Sequence, residues 1–425
     1  MLPRRQLLSR EAVRIVTESG AWRRSRRTGE YDRAAHIAIW IFMLFVASLP
    51  FESVAYQGRG EGLASISSAI GYVLILAAAY RSNVFFRKPV RGVGFFMIWV
   101  FLSWGYCLVL QPHDLLKVYV TLVRRTQMVV LLWISASLLR DEKLARRTLL
   151  VLAVSCAALF LYVHTIGGGD PGDATMADDR LSVFEEDPNF LASLVSMGVL
   201  AYLALPIMGM KHKLIKTSAW LVGMLGSASV VLQTGSRSAI IGLVAAMPML
   251  ALQPGRPMAR LRRLALVVAA CGAFVFAVTA VPMTRVRFEA ALKGKLGMRE
   301  KFIPAAIAMF WQEPLWGWGT IDAMRELRRR ESGRTSLAVR ATHNIFLAPL
   351  LESGLLGGAP YLLGCGLAWL TAWRCRNGPR GIVPLVYVVL LFGTGLGFNI
   401  DAGKGYWLFL GYVFASYPRG WLRNR

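Results

Sequence analysis

The sequence has few charged residues, and acidic residues are the scarcest of them. Only 17% of the 425 residues are charged, and 49 Lys and Arg face 24 Asp and Glu. A soluble globular protein has about 25% charged and about 45–50% apolar residues, whereas 55% of this chain is hydrophobic. This composition excludes a disordered chain and argues against a coiled coil. The formal charge of +25 would favour nucleic acid as a partner, unless the basic residues follow a membrane topology.

Cysteine is also scarce, and several catalytic motifs are missing. The five cysteines form no CxxC pair, and four of them lie inside apolar runs. This pattern excludes a disulfide-rich secreted domain and argues against a metal or redox centre. The sequence has neither the GxxxxGK[ST] motif of ATP-driven pumps nor the GxSxG elbow of serine hydrolases. We therefore expect no metal and no other cofactor.

Long apolar runs fill most of the remaining sequence. A run of about 17–25 apolar residues can cross a bilayer core of about 30 Å. The candidate spans lie at 34–51, 63–80, 93–110, 117–139, 147–166, 189–209, 215–232, 238–253, 264–282, 343–373 (kinked), 381–399 and 404–418. The sequence therefore predicts an all-α polytopic membrane protein with about 12 transmembrane helices. It also predicts a large helical loop before helix 10.

The positions of Lys and Arg predict the orientation, because short cytoplasmic connections are rich in these residues. Segment 1–33 carries nine Arg, and every second connection after it is basic. The alternate loops at 52–62, 111–116 and 400–403 hold at most one basic residue each. We therefore expect both termini in the cytoplasm. Most of the positive charge then reflects topology, and we expect no nucleic acid as a partner.

This topology divides the chain into five parts. They are a cytoplasmic basic N-terminal segment at 1–33, transmembrane helices 1–9 at 34–282, an outer (periplasmic) loop domain at 283–342, transmembrane helices 10–12 at 343–418 and a cytoplasmic tail at 419–425. Because the cytoplasmic connections are short, we expect the functional site within the membrane or on its outer side.

A first candidate is Arg180, the one basic residue among seven carboxylates that precede the sixth span. A structural salt bridge to these carboxylates and a role in ligand binding are both open. Asp187 and Pro188 follow, and they suit an N-cap and the first position of a helix.

A second candidate is Arg237 in Thr234-Gly235-Ser236-Arg237-Ser238, between spans seven and eight. A helix N-terminus offers free N–H groups and a partial positive charge, which suits an anion. A guanidinium there can hold a phosphate with two hydrogen bonds. The alternative is an interfacial arginine that reaches towards water.

The outer loop carries twelve Lys and Arg against six carboxylates. Met298 to Phe310 predicts a helix, and 320–331 predicts a second, strongly basic one. Arg285, Arg299 and Arg340 are candidate ligands in this loop, although a solvated surface position is the alternative for each.

His343 and Asn344 stand where the outer loop re-enters the membrane. An imidazole that titrates near neutrality suits a general base for a hydroxyl nucleophile, whereas a helix cap is the alternative. Glu352 further on can pair with a cation or mark a kink. Gly354 and Gly358 form a GxxxG motif, which predicts helix packing.

Four motifs in this order resemble the O-antigen ligase/polymerase family of bacterial polytopic glycosyltransferases. They are RLSVFEEDPNFLA, TGSRSA, MREKFIPAAIAMFWQEPLWGWG and the His-x10-Gly element from His343 to Gly354. Together they span about residues 175–360. The resemblance implies an enzyme of the bacterial inner membrane with its active site on the periplasmic face.

The resemblance also implies substrates and residue roles. The donor would be an undecaprenyl-pyrophosphate-linked glycan, and the acceptor a lipid A-core hydroxyl or a second lipid-linked glycan. His343 would be the catalytic base, and Arg237 and Arg299 would bind the pyrophosphate, together with Arg180. Arg285 is an alternative to Arg299, and Arg340 and Asn344 are further candidates. The reaction would be inverting and metal-independent.

Three functions remain open at this stage. We favour a ligase, and an O-antigen or exopolysaccharide polymerase of the same family is the alternative. A lipid-linked oligosaccharide flippase or other transporter is the competing class, because twelve spans with both termini inside suit it equally well. Arg124 and Arg125 in span four favour the transporter, while a large basic loop in only one half of the chain argues against it.

Overall fold

The computed structural model describes most of the chain as helices. The described residues are 29–51, 66–80, 85–110, 115–165, 181, 183, 187–208, 218–253, 257–294, 299–332 and 342–417. No strand occurs among them. The basic segment 1–28 and the tail from 418 onwards lie outside the described residues.

The helices follow the apolar runs of the sequence. The first part has α1 (Gly29–Ser48), α2 (Ile66–Tyr80), α3 (Arg91–Leu110), α4 (Leu115–Leu138), α5 (Glu142–Thr165), α6 (Pro188–Ile207), α7 (Ser218–Gln233), α8 (Arg237–Ala246) and α9 (Pro257–Ala280). Next come α10 (Pro282–Leu292), α11 (Arg299–Gln312), α12 (Asp322–Ser332), α13 (Leu347–Cys375), α14 (Val383–Gly395) and α15 (Lys404–Ala415). Short 3-10 turns follow α1, α8 and α14, at Leu49–Phe51, Met247–Leu252 and Ile400–Ala402.

Several of these helices can cross a membrane. Five in the described part of the chain are long and apolar enough: Val118–Leu138, Glu142–Thr165, Pro188–Ile207, Arg263–Ala280 and Leu347–Cys375. Five shorter apolar helices of 10–17 residues accompany them. The chain is therefore an all-helical, multi-pass membrane protein. The count of 12 transmembrane helices and the side on which each loop lies stay predictions.

The helices differ greatly in how deeply they are enclosed. In α6, 78% of the apolar window is buried by other helices, whereas in the Arg263–Ala280 stretch of α9 only 12% is. Helix α6 is therefore central and α9 peripheral. Aromatic rings fill part of the interior, where Phe96 packs edge-on against Tyr361 and Trp407, each with ring centroids 5.3 Å apart.

The bundle has two ends. At one end, which we call the closed end, Arg380 joins the start of α14 to the end of α4 and the start of α5. At the other end, which we call the site end, Lys404 of α15 donates hydrogen bonds to Ser67 and Ser68 of α2 at 2.7 and 2.9 Å. Helices α6, α8 and α13 all start at the site end.

Helix α13 is broken at Ser353 and Gly354, where Gly354 has φ +57°. A Cβ on Gly354 would lie 2.3 Å from the carbonyl of Leu315, and one on Gly358 would lie 2.8 Å from the side chain of Leu350 in the same helix. The prediction that these glycines serve a GxxxG helix-packing interface was therefore wrong. Gly354 is needed because a loop backbone enters the break in the helix.

Candidate functional site

The Thr234–Ser238 turn ends α7 and starts α8, as the sequence predicted. Ser236 is the N-cap of α8, but its side chain makes no capping bond within the described part of the chain. It donates instead to Oδ1 of Asn189 in α6, at 2.9 Å. The side chain of Arg237 is 8% exposed, and its Nη1 donates to the carbonyl of Arg287 at 3.3 Å. A buried guanidinium thus lies at the start of a helix.

The start of α6 lies beside this turn. Asp187 is the N-cap of α6, as predicted, and its Oδ1 accepts the N–H of Asn189 at 2.7 Å. The side-chain amide of Asn189 donates to the same oxygen at 2.8 Å, which orients the amide towards Ser236. The next residue, Phe190, packs edge-on against Phe398, with ring centroids 4.6 Å apart.

His343 lies just before α13 in a strained conformation. Its φ is +53°, the only positive φ of a non-glycine residue in the described ranges. Its ring stacks on Phe398 with centroids 6.1 Å apart and planes 20° apart. Strained backbone of this kind costs about 1–3 kcal/mol and often marks a functional position. Neighbouring contacts must therefore hold it.

Asn344 supplies part of that support. Its Oδ1 accepts the N–H groups of Phe346 and Leu347 at 2.9 and 3.0 Å, which caps α13. Its Nδ2 donates to the carbonyl of Leu396 at 3.3 Å. The N–H of Ile345 donates to the carbonyl of Gly395 at 3.0 Å. The candidate role of Asn344 as a ligand stays a prediction, whereas its cap is a direct observation.

Arg299, on the segment between α9 and α13, approaches the same turn. It is the first residue of α11, and its side chain lies next to Gly397. A Cβ on Gly397 would lie 3.6 Å from Nη1 of Arg299 and 3.0 Å from Cβ of Ser238. We call residues 395–398 the hub turn, because His343, Arg299 and the start of α8 all contact it.

The geometry suits an anion. Helices α6, α8, α11 and α13 all begin around the hub turn, and each helix N-terminus carries roughly half a positive charge, which the Asp187 carboxylate at α6 and the C-terminus of α14 at Gly395 offset in part. Two arginines, Arg237 and Arg299, add full charges. The sequence predicted one helix N-terminus at Arg237, but it did not reveal that three others meet it. A negatively charged group placed here would therefore be stabilised by fixed backbone dipoles as well as by side chains.

The other candidate arginines differ in position. Arg285 is exposed on α10 and pairs with Glu289, Nε to Oε1 at 2.7 Å, so it does not reach the hub turn. Arg180 and Arg340 lie outside the described residues. Leu181, next in sequence to Arg180, donates its N–H to the carbonyl of Gln233 at 3.2 Å, which ties this part of the chain to the end of α7.

A second charged cluster lies deeper in the bundle. Arg125 of α4 forms an ion pair with Glu352 of α13, so Glu352 both pairs with a cation and stands at a kink. Asp401 interacts with both charges, and burial raises its pKa to about 7. Asp401 was not among the residues predicted from the sequence. Its place in a short loop rich in Gly and Ala gave no chemical signal.

Metal ligation was also tested against the geometry. Within the described ranges, no group of three His, Cys, Asp or Glu side chains could hold a metal ion. The polar groups at the hub turn are guanidinium, imidazole, hydroxyl and amide groups, which suit a phosphate rather than a divalent cation.

The described part of the chain is thus a bundle of apolar helices with a cationic cluster at one end. Residues 222–362 match the family model described as O-antigen ligase. The match covers 141 of the 425 residues, and it agrees with the resemblance seen in the sequence. The match begins in α7 and ends in α13, so it contains Arg237, Arg299 and His343. No curated protein matches the chain significantly.

Proposed function

We propose that the chain transfers a glycan from undecaprenyl pyrophosphate to a hydroxyl of the lipid A core, as an O-antigen ligase. The observation that carries the proposal is the hub turn, which Arg299, His343 and the start of α8, whose first residue is Arg237, all contact. We infer that this end of the bundle faces the periplasm of a bacterial inner membrane, with both chain termini in the cytoplasm.

The leaving group explains the positive charges. As the bond between the sugar C1 and the pyrophosphate oxygen breaks, its electron pair passes to the pyrophosphate. Guanidinium groups and helix dipoles that are already in place stabilise this charge without reorganising. In this proposal Arg237 and Arg299 bind the pyrophosphate, and Arg180 adds a third charge. Arg285 is the less favoured choice, because its guanidinium is paired with Glu289.

His343 is the proposed base. It takes the proton of the acceptor hydroxyl while the acceptor oxygen forms its bond to C1. Attack from the face opposite to the leaving group inverts C1. The positive φ of His343 and the cap by Asn344 fix the ring above Phe398, so the imidazole needs little movement to reach the acceptor.

A polymerase would use the same residues, with a second lipid-linked glycan as the acceptor. The glycan on the cell surface of a deletion strain distinguishes the two reactions. Loss of all core-linked chains supports a ligase, whereas a single repeat unit that remains on the core supports a polymerase.

Transfer itself can be measured with the purified protein in lipid nanodiscs. A synthetic undecaprenyl-pyrophosphate-linked oligosaccharide serves as donor and lipid A–core as acceptor. We expect a new glycosidic bond with the wild-type protein, full activity in EDTA, and no product with Arg237→Ala or His343→Ala. His343→Asn is the sharper variant, because Asn tolerates a positive φ.

Two outcomes would contradict the proposal. Transfer at the wild-type rate by His343→Asn would exclude His343 as the base. Movement of the donor across a membrane without a glycosidic bond would support a flippase. His164→Asn is the matched control, since His164 is an exposed histidine at the end of α5, and we expect it to leave transfer unchanged.

A further inference from the structure

The Arg125–Glu352 pair lies away from the hub turn, inside the bundle. Glu352 is 5% exposed, and Arg125 reaches it from the middle of α4. The guanidinium of Arg125 also lies 5.2 Å from the ring centroid of Trp99. Its Nη1 donates to Oγ1 of Thr320 at 3.3 Å. One arginine therefore contacts α3, α13 and the segment that connects α11 to α12.

That segment enters the break in α13. Its residues Pro314 to Gly319, which we call the inserted turn, exchange backbone hydrogen bonds with α13 in both directions. Trp318 and Gly319 donate to the carbonyls of Leu351 and Glu352 at 2.9 and 2.7 Å. In return, Leu355 donates to Pro314 at 2.8 Å, and Leu356 donates to Leu315 at 3.2 Å.

Glycines make this close approach possible. Gly317 has φ +73° and Gly319 has φ +80°. A Cβ on Gly317 would lie 2.5 Å from the backbone nitrogen of Gly354. The two backbones are therefore in direct contact, and the inserted turn has only one register against α13.

The inserted turn links the two helices, α11 and α13, at whose starts the candidate site residues Arg299 and His343 lie. Arg299 begins α11, and α11 ends at Gln312, two residues before the inserted turn. His343 precedes α13, which carries Glu352. Phe302 and Met309 of α11 pack in one apolar cluster with Leu351 of α13. Helix α11, the inserted turn and the first part of α13 thus form one unit, and Arg125 attaches that unit to α4.

We propose that the Arg125–Glu352 pair is a positioning pair that sets the place of Arg299 relative to Arg237 and His343. This inference rests on the proposed glycan transfer, in which all three residues act on one donor. Arg125 binds both partners of the contact between α13 and the inserted turn, because it pairs with Glu352 on α13 and donates to Thr320 next to the inserted turn. Without Arg125, α11, the inserted turn and the first part of α13 stay joined, but the unit that they form is no longer fixed to α4.

The energetics favour positioning over stability. Two buried charges lose hydration, and replacement of a buried ion pair by apolar side chains of similar volume is often neutral or stabilising. Removal of one partner alone leaves an uncompensated charge and destabilises strongly. A double apolar replacement therefore separates the contribution to stability from the contribution to geometry.

The test compares Arg125→Met, Glu352→Gln and the double variant Arg125→Met/Glu352→Leu in nanodiscs. Thermal unfolding, kcat and the KM for the synthetic donor are measured for each. We expect both single variants to lower Tm and to lower kcat by about 10- to 100-fold, because a displacement of about 1 Å can cost that much. The double variant should regain Tm but not kcat.

A distance measurement tests the same proposal without transfer. Spin labels on cysteines introduced at Lys301 of α11 and Ile241 of α8 report the separation of the helices that carry Arg299 and Arg237. Both side chains are exposed, and the four native cysteines other than Cys271 are buried, so Cys271→Ser gives a clean background. We expect one narrow distance distribution in the wild-type protein and a broader or shifted one in the double variant.

The outcomes are distinct. A double variant with wild-type kcat, or with an unchanged distance distribution, would overturn the proposal. Arg329→Ala is the control, because it removes an exposed ion pair of α12 and should change neither measurement. If the wild-type protein forms no glycosidic bond at all, the proposed function fails, and the distance distributions still decide whether the pair positions α11.

Discussion

Two arginines that join helices differ in their partners: Arg380 is buried at the closed end, and Arg125 is partly buried inside the bundle. At the closed end, the guanidinium of Arg380 is bound on all sides. It donates to Glu142 at 3.0 Å, to the carbonyl of Tyr412 at 3.1 Å, to the hydroxyl of Ser416 at 3.0 Å and to the carbonyl of Leu139. Arg125, towards the site end, has one carboxylate, one hydroxyl and one aromatic face.

The partners explain the difference in role. Arg380 satisfies carbonyls at the ends of α4 and α15, which lack partners within their own helices, so it acts as a helix cap shared by several helices. Arg125 binds the side chain of one helix and the loop that enters it. Ion pairs of the same kind therefore join helix ends around Arg380 and, in our proposal, position the inserted turn around Arg125.

The largest effect is expected for Arg380→Met. This change removes the guanidinium that binds the carbonyls of Leu139 and Tyr412 and the carboxylate of Glu142, although Glu142 keeps Arg146 at 3.5 Å. Removal of one member of a buried pair costs about 3–5 kcal/mol. The amount of folded protein in membranes and its Tm should fall sharply, while the surviving protein keeps its kcat. Arg374→Met, at an exposed position six residues earlier, is the control. Equal losses of folded protein and of Tm in Arg380→Met and in the control would show that the contacts of Arg380 do not stabilise the closed end.

A smaller effect is expected for Gly354→Ala, which acts on the Arg125 side. The new Cβ meets the Leu315 carbonyl at 2.3 Å, at a φ of +57°, and such strain costs about 1–3 kcal/mol. The inserted turn should move. Catalysis, measured as kcat, should therefore be lost to a greater extent than thermal stability, measured as Tm. Gly366→Ala in the same helix is the control, because a Cβ there meets nothing within 4 Å. A variant that loses Tm but keeps kcat would contradict the role of the inserted turn.

The third prediction concerns Asp401, which interacts with the charges of Arg125 and Glu352. Burial raises its pKa from 3.8 to about 7, so the folded protein binds this proton more tightly than the unfolded chain does. The free energy of unfolding therefore rises as the pH falls from about 7 to about 4. This contribution of Asp401 is lost again as the pH rises through the folded pKa. The Tm of Asp401→Asn should exceed that of the wild type at pH 8 and equal it near pH 4. A constant difference in Tm across this range would exclude titration of Asp401 as its cause.

The smallest effect is expected at the surface of α12. Arg329 pairs with Glu326 at 2.8 Å, but its side chain is 68% exposed. Exposed pairs contribute little, because water and salt screen them. Arg329→Ala should therefore leave Tm and kcat unchanged within error. A clear loss of Tm or kcat would show that this exposed pair matters as much as the pairs of Arg125 and Arg380, and that exposure does not explain their different effects.

Much of the fold was visible in the sequence. The apolar runs coincide with helices, and Asp187 caps α6 as its position before Pro188 predicted. The basic loop contains the two helices expected around 298–310 and 320–331. These features depend on neighbouring residues, and local patterns therefore reveal them.

The arrangement of the candidate site was not visible. The hub turn consists of Gly395, Leu396, Gly397 and Phe398, which carry no chemistry of their own, and its contacts come from distant parts of the chain. The motif of Gly354 and Gly358 predicted helix packing, although the structure uses Gly354 to admit a loop. Arg125 seemed to favour a transporter because its partner lies 227 positions away. Such pairings depend on the tertiary fold, which periodicity does not encode.

The meeting of four helix N-termini at the hub turn also has a consequence for salt. Charges on exposed arginines such as Arg329 are screened beyond a Debye length of about 8 Å at 0.15 M salt. Backbone dipoles inside a helix bundle are fixed, and mobile ions reach them poorly. In the proposed reaction, the KM for a pyrophosphate-linked donor should therefore rise less with ionic strength than it would if surface arginines alone attracted the donor.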